Sequence, residues 1–164
     1  MSWSAFEESL IEQWILKVEG GLVDNPDDPG GLTKYGISQR AFPHLDIKNL
    51  TIQQACDIYY NNYYHNLYLD NYEFPLAFVC FDCAILCGQG WIQRTIRKDA
   101  YPVLGKDIMV PDSLAMYVLE QRIKYHTGDP NFRVFGQGWL NRVADLMDEY
   151  LKLKKIYNAN GGKK

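Results

Sequence analysis

Glu19-Gly20-Gly21-Leu22-Val23-Asp24-Asn25-Pro26-Asp27-Asp28-Pro29-Gly30-Gly31-Leu32-Thr33-Lys34-Tyr35-Gly36-Ile37-Ser38 is the stretch on which the fold turns. The apolar positions before it, Phe6, Leu10, Ile11, Trp14, Ile15 and Val18, repeat with the spacing of a helix that buries one face. Gly20-Gly21 stops that helix, because glycine is the usual residue of a left-handed C-cap. A carboxylate at the end of a long helix is thus delivered into a loop rich in glycine and aspartate. From Leu22 to Tyr35 the density of Pro, Gly and Asp predicts turns with a small hairpin, and strands are expected only there.

Downstream the signals are helical. Thr51 and Gln54 form a capping box that opens a helix to about Asn66. The next helix is expected from about Pro75 to Cys87, buried on most sides, since Asp82 is its only charge. Gly88-Gln89-Gly90 breaks it and Trp91 to Lys98 resumes. Pro111-Asp112-Ser113 starts a helix through about Lys124. Asp129-Pro130 and Gly136 to Gly138 punctuate the last connection, Trp139 to Tyr157 is the terminal helix, and 158–164 is a frayed tail. The runs Gly88-Gln89-Gly90-Trp91 and Gly136-Gln137-Gly138-Trp139 are alike, and both are read as helix starts with Gly for the turn and Trp as anchor.

With 164 residues the chain suits one domain, 1–164, with an N-terminal lobe of about 1–74 and a C-terminal helical lobe of about 75–157. The expected class is mainly α with a small β-hairpin or loop region after the first helix. A net charge of -3 argues against non-specific nucleic-acid binding, which needs a basic face. No apolar run approaches the roughly 18 residues of a membrane span, and the acidic start lacks the features of a signal peptide, so synthesis in the cytoplasm is expected. Cys80, Cys83 and Cys87 recur on one helical stripe without a well-placed fourth ligand, and with Cys56 they read as small buried hydrophobes rather than a metal site. No metal or cofactor is expected, since the acidic loop breaks the ligand spacing of a calcium loop and carries prolines.

Cleaving a glycosidic bond requires a proton donor at the leaving oxygen and a second group on the opposite face of the sugar. Glu19 suits the first task, because burial and the negative end of a helix dipole both favour a protonated carboxyl. For the second, Asp24, Asp27 and Asp28 are candidates. Asp28 is preferred because Pro29 restrains the backbone after it and Gly30-Gly31 lets the chain turn back. Thr33 can orient a water, Tyr35 can contact sugar, and Asp24 is a further substrate contact. Each has an ordinary alternative: Asp before Pro or Gly is a standard turn residue, Thr33 can cap or pair, and Tyr35 can be half-buried core. Tyr59, Tyr60, Tyr63, Tyr64, Tyr68 and Tyr72 offer stacking surfaces, with Tyr63 the one assigned to substrate.

These residues resemble a known family. Glu19-Gly20-Gly21-Leu22 followed by Asp27 to Ser38 is similar to the N-terminal motif of the EGGY-type muramidases, glycoside hydrolase family 108. Ile58-Tyr59 with Tyr63-Tyr64, Ala77 with Phe81-Asp82, and Gly138 to Val143 resemble its later helices, so the likeness spans nearly the whole chain. It implies a lysozyme-like helical fold and hydrolysis of the β-1,4 bond between N-acetylmuramic acid and N-acetylglucosamine in peptidoglycan. The family's catalytic Glu falls on Glu19, while Asp28 and Thr33 sit at spacings similar to those of phage-type lysozymes. Leu22 departs from the usual Tyr, and Cys87 stands where Asn is common. The resemblance further implies a monomeric phage endolysin that acts in the periplasm on the cell wall, reaching it through a holin or secretion pore. A wall-binding or virion module without catalysis, and a secretion-linked bacterial muramidase, are the alternatives.

Overall fold

Ser4 opens helix α1 (Ala5–Glu19) through a reciprocal cap: its hydroxyl accepts from the Glu7 N–H while the Glu7 carboxylate accepts from the Ser4 N–H at 2.8 Å. The expected stripe is buried at Ile11, Trp14 and Ile15, whereas Phe6 at the helix start stays exposed. The structure is a computed structural model that describes residues 4–24 and 31–161. The chain divides into two units, one running to Asn62 and the other from Tyr63 onward.

In the first unit, Gly20 leaves α1 at a φ of 72° and the chain forms a three-stranded antiparallel sheet of β1 (Leu22–Val23), β2 (Thr33–Lys34) and β3 (Ile37–Ser38). Leu22 pairs with Lys34, and Lys34 with Ile37. The hairpin therefore turns at Tyr35-Gly36, and its last strand lies beyond the Leu22 to Tyr35 segment in which strands were expected. The reason is local: both turn residues have positive φ, 52° and 75°, the mirror-image turn whose twist matches paired strands. Helix α2 (Ile52–Tyr59) starts on the predicted box, with the Thr51 hydroxyl accepting from the Gln54 N–H and the Gln54 side chain accepting from the Thr51 N–H. It packs against α1 through buried Ala55, Cys56 and Tyr59.

The α2 helix does not continue regularly to Asn66. It widens into a π-turn at Tyr60–Tyr64, followed by 3₁₀ turns at His65–Leu67 and Leu69–Asn71. Asn61 and Asn62 donate their side-chain amides to the carbonyls of Asp57 and Ile58, at 2.8 and 2.9 Å. Such side chains compete with the backbone N–H groups for the i−4 carbonyls and loosen the ladder.

The second unit is built on α3 (Phe74–Cys87), buried at every position from Phe74 to Ala84 as its near-continuous apolar sequence requires. Gly88, at a φ of 91°, separates it from α4 (Gln89–Arg94). A second π-turn, Thr95–Asp99, follows where the Thr95 hydroxyl donates to the Trp91 carbonyl, then α5 (Ala100–Leu104) and a 3₁₀ segment, Gly105–Met109. Helix α6 (Pro111–Thr127) and the long α7 (Phe132–Ala159) pack on α3 and on each other.

The terminal helix corrects one expectation. Gly136 to Gly138 do not punctuate a connection, and Trp139 does not begin a helix: α7 starts at Phe132 and runs through both glycines. Gly136 is where the Phe132 ring folds down, so that a methyl group there would stand 2.5 Å from the ring. Tertiary packing of Val143, Leu146, Tyr150 and Leu153 holds the helix despite the roughly 1 kcal/mol that each interior glycine costs. Only the first Gly-Gln-Gly-Trp run is a helix start, and there Gly88 alone does the breaking.

Candidate active site

Glu19 is the last residue of α1 and is half-buried. Its carboxylate lies against the turn of the β2–β3 hairpin. A methyl group built on Gly36 would stand 2.8 Å from Glu19 Oε2, 3.2 Å from its Cδ and 2.5 Å from Tyr59 Oη. Only the bare backbone of glycine leaves room for the acid and the phenol together.

Tyr59 comes from the end of α2, is 3% exposed, and donates its hydroxyl to the Tyr35 carbonyl at 2.9 Å. Tyr35 is half-buried and carries the left-handed backbone of the turn, a conformation that costs a non-glycine residue of order 1 kcal/mol. Lys34 Nζ stands 5.3 Å from the Tyr35 ring centroid and donates to the Lys48 carbonyl, which ties the hairpin to the following loop. Four residues from three elements, Glu19, Tyr35, Gly36 and Tyr59, thus meet at one point.

Of the residues expected to form the site, the structure brings Glu19 and Tyr35 together. Thr33 sits in β2, half-buried, with its hydroxyl donating to the Gly31 carbonyl at 3.1 Å, so its proton is committed locally. Asp24 is exposed just after β1. Asp27 and Asp28 lie outside the described residues. Tyr63 is half-buried in the π-turn, at the start of the second unit. Leu22 is an exposed residue of β1, and Cys87 is half-buried at the end of α3.

Gly36 was not read as part of the site, and Tyr59 was offered only as one of six stacking surfaces for sugar, not as a neighbour of Glu19. Gly36 had a legible signal, since a two-residue link ending in glycine between short strands calls for positive φ. Tyr59 had none, because the sequence does not say which tyrosine of six points back toward α1.

The second unit holds a separate buried polar cluster. Asp82, wholly buried on α3, accepts from Arg122 Nη1 on α6 and from Arg142 Nη2 on α7, the latter at 2.8 Å. Arg122 is equally buried, and its Nε stands 3.4 Å from His126 Nε2. His126 stacks on Trp139 with ring centroids 5.0 Å apart. Burial, helped by the neighbouring Arg122 charge, pushes the His126 pKa below its ordinary value. One carboxylate facing two guanidiniums needs such a neutral histidine beside it, and the arrangement ties three helices together rather than offering a reactive group.

The cysteines are free thiols among the described residues, with Cys56, Cys80 and Cys83 buried. Burial pushes Cys56 and Cys87 up to about 12 and Cys83 to about 11, which keeps them protonated and unreactive. Among the described residues no group of three His, Cys, Asp or Glu side chains could hold a metal ion. A pocket of about 100 Å³ in the second unit, lined by Leu67, Tyr72, Ile92, Gln93 and Arg97 among others, contains no carboxylate.

Residues 12–88 match the family described as Glycosyl hydrolase 108, a span that includes Glu19, the hairpin, α2 and α3. The fold is similar to the solved structure of Brucella abortus SagA, with a TM-score of 0.70 and 26% sequence identity over 92% of this chain and 97% of that one. No curated protein sequence matches it significantly.

Proposed function

We propose, on the premise that this chain belongs to the glycoside hydrolase 108 family and is a peptidoglycan hydrolase of the lysozyme-like type, that it is an N-acetylmuramidase with Glu19 as its general acid. The observation that carries this reading is the placement of the Glu19 carboxyl at the end of α1, held against the Gly36 backbone beside the Tyr59 hydroxyl. A catalytic acid must be rigid, and here two helices and a hairpin converge on it.

In the proposed reaction Glu19 gives its proton to the oxygen of the β-1,4 bond between N-acetylmuramic acid and N-acetylglucosamine. The bond from the anomeric carbon to that oxygen breaks, positive charge develops on the sugar ring, and one water is added in net. Asp28 is the proposed group on the opposite face, as base, nucleophile or electrostatic support. Thr33 would orient water through its lone pairs, and Tyr35, Asp24 and Tyr63 are proposed sugar contacts. The reading includes a monomeric phage endolysin made in the cytoplasm and released to the wall by a holin-type pore. Among the described residues no helix is long and apolar enough to cross a membrane.

Mass spectrometry of purified peptidoglycan digests tests it, with Glu19→Gln beside the unmutated protein. The expected products end in reducing N-acetylmuramic acid, and Glu19→Gln lowers the rate by about 10²-fold or more while remaining folded. A fully active Glu19→Gln overturns the assignment. Wall binding without product release by the unmutated protein would instead mark a non-catalytic wall-binding module.

A further inference from the structure

Gly36 and Tyr59 occupy a relation to Glu19 that packing alone does not call for. A phenylalanine would fill the Tyr59 site as well, and a buried tyrosine hydroxyl must find a partner or lose stability. The partner here is the carbonyl of Tyr35, the residue in the left-handed conformation immediately before Gly36. The hydroxyl therefore fixes the one peptide whose position determines where Gly36 stands. Gly36 in turn is crowded from two sides, by the phenol oxygen and by Glu19 Oε2, around the same methyl-sized space.

The support behind the phenol is rigid. Tyr59 lies on α2, which begins on a complete capping box and packs on α1, the helix that ends in Glu19. The path from α1 through α2 and Tyr59 to the hairpin and back to the Glu19 carboxyl is a closed loop of contacts. Acid catalysis is sensitive to such placement, since a displacement of about 1 Å in a catalytic constellation can cost about 10²-fold in rate.

We propose that Tyr59 and Gly36 are positioning residues for the general acid: the Tyr59 hydroxyl clamps the Tyr35-Gly36 turn, and the bare Gly36 backbone sets the resting place of the Glu19 carboxyl. The inference rests on the reading of Glu19 as the acid. Both act through the Glu19 carboxyl that they hold, not on the sugar itself. Their effect falls on kcat, because they place a proton donor and bind no sugar.

The test compares the unmutated chain with Tyr59→Phe, Gly36→Ala, the double variant and Glu19→Gln, on soluble glycan fragments of purified peptidoglycan, with a thermal melt of each. Tyr59→Phe is expected to lower kcat about tenfold and Gly36→Ala about 10²-fold, with KM within about twofold in both. In the double variant the phenol oxygen no longer crowds the added methyl group, so its kcat stays within about threefold of Gly36→Ala instead of falling by the product of the single losses. A merely structural role would lower the melting temperature and the active fraction, with kcat per active molecule unchanged and additive effects. Should Tyr59→Phe not fold, Gly36→Ala carries the test by the same split between kcat and KM. Wild-type kcat in Tyr59→Phe or Gly36→Ala beside an inactive Glu19→Gln overturns the positioning roles and leaves the acid standing. An active Glu19→Gln overturns both.

Discussion

Arg122 donates from Nη1 to Oδ2 of Asp82 with both side chains wholly excluded from solvent, although 40 residues separate them in the chain. Asp82 is the single charge of α3, and its other oxygen accepts from Arg142. Removing that carboxylate leaves two guanidiniums facing each other in a low-dielectric interior, Arg122 buried and Arg142 only 13% exposed. Asp82→Ala is therefore expected to destabilise the fold by about 3–5 kcal/mol, read from urea or thermal unfolding. A variant with unchanged stability would show that the cluster relaxes to water when opened.

The two glycines inside α7 should respond oppositely to alanine. Gly138 has open space around its missing Cβ, so Gly138→Ala gains helix propensity and stabilises by up to about 1 kcal/mol. At Gly136 the same methyl group would meet the Phe132 ring at 2.5 Å, and moving the ring forfeits more packing than the propensity returns. Gly136→Ala is expected to lower the melting temperature while Gly138→Ala raises it.

His126 makes stability depend on pH in the acid range. Its folded pKa is lowered, first by burial and then by Arg122, with Arg142 acting in the same direction and Asp129 and Asp82 opposing. Below the unfolded value, about 6.5, the unfolded chain binds a proton that the folded chain resists, so stability falls as pH falls. Unfolding free energies measured at pH 7 and pH 5 should differ in that direction, and His126→Gln should flatten the dependence between them.

The thiols act at the other end of the scale. Cys56 and Cys87 rise to about 12 and Cys83 to about 11, in each case chiefly through burial. Above the unfolded thiol value of about 8.5 the unfolded chain releases protons that the folded chain retains. Each thiol then removes up to about 1.4 kcal/mol of stability per pH unit until its folded pKa is reached. Alkylation by iodoacetamide at pH 8 should correspondingly be slow in the folded protein and fast in urea. Rapid labelling of the folded chain would show these thiols to be accessible.

Local chemistry made much of the chain legible from its sequence. The spacing of Ile11, Trp14 and Ile15 sets the buried face of α1, the Thr51 and Gln54 pair starts α2, and the unbroken apolar run after Phe74 requires a buried α3. The Glu-Gly-Gly and Gly-Leu-Thr-Lys-Tyr-Gly blocks pointed to the family that residues 12–88 match. These signals are legible because caps, glycine stops and periodicity act within a few residues. The interruptions were less so. The widening at Tyr60–Tyr64 depends on where Asn61 and Asn62 point, and α7 passes through two glycines because its burial outweighs their local cost.

What only the tertiary structure decided is which distant residues meet. Glu19, Tyr35 with Gly36, and Tyr59 lie on three elements and converge only when α2 packs on α1. Asp82 finds Arg122 and Arg142 only when α6 and α7 close on α3. A sequence states each residue's chemistry and its local backbone preference. The distance between two side chains far apart in the chain is set by the packing of whole elements, and that is where a helix-terminal carboxylate acquires its surroundings.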